Sequence, residues 1–160
     1  MSNALTTPKP TLRVELGDRS YDIVVKPGGI ADAGTVIGSL IQGRRCLVVT
    51  DSNVGPKYGT LLSSAMHKSG FDGNTVLLPP GEGAKTLDVA KVLYDRCIEA
   101  KLDRDSVLIA LGGGVIGDLT GFIAATFYRG IAFVQVPTTL LAMVDAAIGG
   151  KTGIDHPQSK

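Results

Sequence analysis

Three glycines, at positions 112, 114 and 117, follow an apolar run directly and lead at once into Asp118. Glycine at that spacing lets backbone N–H groups approach a phosphate, and a helix starting there adds partial positive charge. The chemistry indicated is the binding of a dinucleotide pyrophosphate; the plainer reading is a glycine turn that packs a helix on a sheet. A conventional unit of this kind closes its next strand, about 20 residues on, with an acid that holds the ribose hydroxyls. Here the next apolar run ends Val136-Pro137-Thr138-Thr139 with no carboxylate, whereas an earlier run ends in Asp51, followed by Ser52 and Asn53. The wiring is therefore unconventional, and an aspartate after a strand is also an ordinary turn residue.

Three further stretches place charge in loops. Residues 79–85 read Pro-Pro-Gly-Glu-Gly-Ala-Lys and present Glu82 and Lys85 on a stiff turn, either as a solvated pair or as part of a site. Arg129, in Phe127-Tyr128-Arg129-Gly130, is expected at the end of the helix that the glycine loop starts. A cation there either favours the helix C-terminus or grips an anionic ligand. Asp145 and Lys151 bracket a glycine-rich stretch whose Gly150-Lys151-Thr152 resembles the end of a P-loop. Such a loop begins with glycine where this chain has Asp145, so a P-loop is set aside and a loop delivering Lys151 to a phosphate remains. His67 and His156 have no partners at metal-ligand spacing and read as surface residues.

The elements that must position these residues follow from periodicity. Residues 11–16 and 21–26 alternate apolar and polar around Gly17-Asp18, which predicts a β-hairpin. Four short apolar runs, 46–50, 75–78, 107–111 and 132–136, read as buried parallel strands, apolar on both faces. Amphipathic stretches at 30–40, 56–69, 86–100 and 115–128 read as the helices between them, with Thr86 as an N-terminal cap. The alternation predicts an α/β, Rossmann-like, doubly wound parallel sheet with right-handed crossovers. Ligands then lie beyond the carboxyl ends of the strands, where residues 51–53, 79–85, 112–118 and 137–139 fall. Residues 1–10 read as a flexible arm, and 11–160 as one nucleotide-binding domain.

Composition narrows the class of partner. A net charge of +1 argues against nucleic acid, which needs clustered cations, and 44% hydrophobic with 19% charged residues describes a packed domain. No stretch approaches the roughly 18–20 apolar residues of a membrane span, and cytoplasmic is the expected location. Cys46 and Cys97 sit in apolar surroundings and read as reduced packing residues.

The strings PPGEGAKT (79–86), ALGGGVIGDLTGF (110–122), FYRG (127–130), VPTTLLAMVD (136–145) and GGKTGI (149–154) together resemble the N-terminal domain of the 3-dehydroquinate synthase family. The likeness runs in order from about residue 14 to 160. It implies an NAD site with Asp51 and Asn53 at the adenosine end and Glu82 and Lys85 nearby. Gly113, Gly114, Val115 and Asp118 would hold the phosphate and ribose region, joined by Thr138, Thr139 and Lys160. Arg129, Asp145 and Lys151 match positions that contact a phosphorylated seven-carbon sugar acid, Asp145 and Lys151 as catalytic residues and the arginine in a neighbouring subunit of a homodimer. The activity implied is conversion of that substrate to 3-dehydroquinate and phosphate in the shikimate pathway, by transient oxidation with NAD, elimination, re-reduction and aldol closure. The family's divalent metal, zinc or cobalt, is held by a Glu and two His of a helical C-terminal domain. Those ligands are expected outside these residues, so the chain alone is expected to bind NAD and not to turn over. Ala146 and Ala147 stand where the family commonly has hydroxyl residues. Two alternatives stay open: another sugar-phosphate cyclase or polyol dehydrogenase of the superfamily, and a non-catalytic NAD-binding module.

Overall fold

A computed structural model describes residues 11–156 and 158; the expected arm over 1–10 and the expected NAD contact Lys160 lie outside them. Four parallel strands, β3 (Arg45–Asp51), β4 (Asp72–Leu78), β5 (Val107–Gly112) and β6 (Ala132–Pro137), form the main sheet in the order β4-β3-β5-β6. A separate two-stranded hairpin precedes it, β1 (Leu12–Val14) against β2 (Tyr21–Ile23), shorter than its alternation predicts. The chain steps from β3 outward to β4, then crosses back over β3 to β5 and on to β6. The winding direction reverses between β3 and β5, and a ligand crevice opens at such a reversal.

Alternation along the inner strands builds two cores. Leu47, Val49, Leu108 and Ala110 face the helices α3 (Leu87–Glu99) and α4 (Gly114–Thr126). Cys46, Val48, Val107, Ile109 and Leu111 face α1 (Ala33–Leu40) and α2 (Thr60–Lys68). Helices on both sides of one parallel sheet make the fold doubly wound, as the alternation of elements predicts. Both cysteines are free and buried, and burial pushes the thiols up, to about 11 at Cys46 and about 12 at Cys97.

Three expectations are corrected. Only β3 and β5 are buried on both faces; β4 is mostly exposed and β6 half-buried, because both are edge strands with a neighbour on one side only. The first two helices begin later than their apolar periodicity, after a 3₁₀ turn at Gly29–Asp32 and a wide turn at Gly55–Gly59. The helix predicted to reach residue 128 ends at Thr126, whose hydroxyl turns back on the Phe122 and Ile123 carbonyls. Thr86 does cap α3, its hydroxyl accepting from the Val89 N–H at 3.3 Å.

Candidate cofactor and substrate site

The glycine loop lies at the reversal of the sheet. Thr50 of β3 pairs with Leu111 of β5, so Asp51 and Gly112 emerge side by side at the strands' carboxyl ends. The upstream acid that the sequence offered is thus the spatial neighbour of the glycine loop.

None of Gly112, Gly113, Gly114 or Gly117 has a positive φ; these glycines serve close approach rather than a left-handed turn. A Cβ at 112 would lie 2.8 Å from Cβ and Cγ1 of Ile116, and one at 117 would lie 2.7 Å from Oε1 of Gln135 on β6. The first turn of α4 therefore nestles against the ends of β5 and β6. Its N-cap is Gly113, which supplies no side-chain cap, and its first turn carries no acid. The amides of Gly114, Val115 and Ile116 have no acceptor within the helix, which leaves a ready anion cradle.

Hydroxyls around this cradle divide into used and unused. Thr138 donates its N–H to the Gly112 carbonyl at 2.9 Å, beside the loop, while its buried Oγ1 has no partner among the described residues. Thr139 Oγ1 instead accepts from the Ala142 N–H at 3.2 Å and caps the following turn. Asp51 divides within one side chain. Its Oδ1 accepts from the N–H groups of Asn53 and Val54, at 2.8 and 3.0 Å, as an ordinary turn residue does. Its Oδ2 has no hydrogen bond among the described residues and remains available to a hydroxyl donor.

Lys85 does not pair with Glu82. It reaches across 33 residues to Asp118, donating from Nζ to Oδ2 at 2.9 Å, and lies 3.6 Å from Oδ1 of Asp155. The hydrogen bond to Asp118 is the chief cause that raises the Lys85 pKa, against a smaller opposing effect of burial. Sequence spacing held no signal for either partner. Glu82 itself is exposed on a short 3₁₀ turn.

The expected substrate residues do not gather in one place. Arg129 is exposed beyond the end of α4 that lies away from the loop, about 20 Å along a helix of this length. It sits in a turn where Tyr128 and Arg129 both take positive φ, 49° and 70°, which non-glycine residues seldom adopt. Asp145 and Lys151 are exposed on the segment after β6. Lys151 follows Gly149 and Gly150, whose φ values of 96° and 75° suit glycine alone. Among the described residues no group of three or more His, Cys, Asp or Glu side chains could hold a metal, and no helix is long and apolar enough to cross a membrane.

Comparison with known proteins shows the family. Residues 75–160 match the family model described as 3-dehydroquinate synthase N-terminal. A 3-dehydroquinate synthase of Microcystis aeruginosa is 50% identical over 147 residues, 92% of this chain and 40% of that protein. A 2-deoxy-scyllo-inosose synthase solved with carbaglucose-6-phosphate, NAD+ and Co2+ superposes with a TM-score of 0.83 at 24% identity, over 93% of this chain and 40% of the other. The 2-epi-5-epi-valiolone synthase of Streptomyces hygroscopicus, solved with NAD+ and Zn2+, has a TM-score of 0.75 at 30% identity, over 89% and 39%. The chain thus spans about 40% of the length of the curated relatives it matches. With an α/β fold, the ordered motifs and this match over residues 75–160, the chain belongs to the 3-dehydroquinate synthase family, within its N-terminal region.

Proposed function

We propose that this chain is the NAD-binding part of a 3-dehydroquinate synthase, which converts a phosphorylated seven-carbon sugar acid to 3-dehydroquinate and phosphate. The observation that carries the reading is the uncapped start of α4 at the sheet's reversal, flanked by Asp51 and the unpartnered Thr138 hydroxyl. Backbone amides from Gly114 onward would take the pyrophosphate, with Gly113 and Val115 shaping the cradle. Asp51 Oδ2 would accept from ribose hydroxyls, with Asn53 and Glu82 at the same rim. Thr138 would donate to a phosphate or ribose oxygen, and Thr139 would hold the adjoining turn. Lys85 fixes Asp118 at the foot of the cradle. When bound, NAD supplies a hydride acceptor next to the strand ends.

For the substrate, Lys151 would pair with the departing phosphate, and Asp145 would accept a hydrogen bond or proton from the sugar acid. Arg129, distant from the glycine loop of its own chain, would serve the site of a second copy in a homodimer. The described residues offer no metal-ligand cluster, so no step is assigned to a divalent metal in this chain.

Calorimetric titration with NAD tests the reading. Saturable binding that Asp51→Ala and Thr138→Val each weaken is the expected result. No binding by the intact chain would overturn it. Adding the remaining length of a curated relative and assaying phosphate release tests the substrate assignment, which Lys151→Ala should abolish.

A further inference from the structure

The segment that carries Lys151 touches the rest of the protein at a few well-defined points, two of them at Asp118 and Lys85. Just before the lysine, the Gly149 N–H donates to the Tyr21 hydroxyl of β2 at 3.0 Å. Just after it, Thr152 lies in a notch on α4 that exists because residue 121 is glycine. A Cβ there would overlap the Thr152 methyl and come within 3.0 Å of Phe133 Cε1. Next, the Gly153 N–H donates to the Asp118 carbonyl at 3.2 Å, and Ile154 packs on the α3/α4 core. Finally, the Asp155 N–H donates to the Lys85 carbonyl at 2.8 Å while its carboxylate faces Lys85 Nζ.

We propose that residues 152–155 form a strap that positions Lys151 against the cofactor helix, with Thr152, seated on Gly121, and Asp155, joined to Lys85, as its positioning residues. Glycine in the middle of a helix is otherwise unfavourable, and alanine at an open site would stabilise α4. Gly121 is buried under the strap, so what it contributes is room for Thr152. Three anchors along the strap meet the elements that bear Lys85 and Asp118. The position of the phosphate-facing lysine is thereby linked to the loops that frame the cofactor. Gly149 and Gly150, at φ 96° and 75°, turn the chain from the Tyr21 anchor into Lys151. The functional consequence rests on the reading of Lys151 as a phosphate ligand; the strap itself does not.

Two measurements on the intact chain separate these claims. The first is amide hydrogen exchange across 149–156 without cofactor. The second is titration with inorganic phosphate. Gly121→Ala should speed exchange at 152–155 by about tenfold and weaken phosphate binding, with exchange in β5 unchanged. Thr152→Ser removes the methyl that collides. In the Gly121→Ala background it should bring both readouts back to within about threefold of the parent, a rescue that general damage to α4 would not show. Should Gly121→Ala fail to fold, Thr152→Leu overfills the same notch from the strap side and should give the same local exchange, and Asp155→Ala should loosen 153–155. Unchanged exchange in the variant that folds, or a double variant as loose as Gly121→Ala alone, overturns the strap. Intact exchange behaviour with no phosphate or NAD binding by the parent would instead sink the functional reading and leave the strap standing.

Discussion

The glycine loop and the segment after β6 are neighbours, Thr139 and Ala146 lying beside Gly113 and Gly114, but they are built in opposite ways. Around 112–117 the proposed ligand groups are backbone amides, their positions set by packing so close that a Cβ at 112 would collide with Ile116. After β6 the proposed ligand groups are side chains on a largely exposed segment: Leu140 is 75% exposed and Leu141 70%, and Lys151 hangs between single hydrogen bonds. A site made of backbone cannot lose its chemistry without losing its fold. A site made of side chains on a tethered segment can. The cofactor half should therefore couple ligand binding to stability, and the substrate half should not.

The largest effect expected from that contrast is at Gly112. Gly112→Val drives a branched side chain into Ile116 on the buried turn of α4, a contact with no flexible end to yield. Overpacking of this kind costs about 1–3 kcal/mol, and the variant should sit at the upper end. Urea unfolding should show the loss in the midpoint at an unchanged slope, and NAD titration should show binding gone. A variant that kept full stability but lost NAD would break the claim that fold and cradle are one object.

Lys85 comes next. Lys85→Met leaves the Asp118 carboxylate without its charged donor in a half-buried position, and loss of such a hydrogen bond costs about 2 kcal/mol. The pH dependence has a definite sign. The native Lys85 pKa is raised, chiefly by the hydrogen bond to Asp118. Its stabilisation is therefore complete below the ordinary lysine value of about 10.4 and is lost as pH rises through the higher native value. Denaturation of parent and variant between about pH 9 and 12 should converge at the alkaline end. Parallel curves would mean that the ion pair contributes nothing. Buried Cys46 and Cys97 titrate in the same range with the same sign, which makes the difference between the two proteins the quantity to read.

The same contrast explains what could be read from the sequence. The buried runs of β3 and β5 and the glycine spacing of α4 announce themselves, because close packing leaves no freedom in residue type. Asp51 was legible as an acid after a strand, and only the strand order set it beside the glycine loop. The Lys85–Asp118 pair was not legible, since neither residue has a local signal that points 33 residues away. Nor was the division between Thr138 and Thr139, adjacent residues of one type of which only Thr139 has a hydrogen-bonded hydroxyl among the described residues. Apolar periodicity continues through Phe127 and so carries the expected helix two residues beyond the end of α4 at Thr126. The left-handed turn at Tyr128 and Arg129 breaks it for reasons of backbone, not of side-chain pattern.

That turn provides the third test. Arg129 holds a φ of 70°, a conformation that costs a non-glycine residue about 1–2 kcal/mol. Arg129→Gly relieves this and gives back part of the gain through a more flexible unfolded chain, so the net stabilisation should be about 1 kcal/mol. Strain kept at an exposed position is a mark of use elsewhere. If Arg129 serves the site of a second copy, the more stable variant should lose phosphate release in the complemented assay. A variant that is more stable and equally active would remove Arg129 from the substrate site.

The smallest effect on stability, and the sharpest on function, is expected at Lys151. Its side chain is exposed and follows two glycines, so Lys151→Ala removes no packing and should move the unfolding midpoint by less than about 0.5 kcal/mol. NAD binding should also stay at the parent level, because the cradle is formed by α4 and the strand ends. Phosphate affinity should fall, and the parent's own affinity should weaken with salt, as it must for an exposed cation whose attraction is screened within about 8 Å at physiological ionic strength. Titrating parent and variant with inorganic phosphate at low and high salt separates the outcomes. A parent that binds phosphate with no salt dependence, or a variant that binds it equally well, would put the phosphate at the amides of α4 instead. The backbone-built region would then hold both anions, and the division between the two regions would fall.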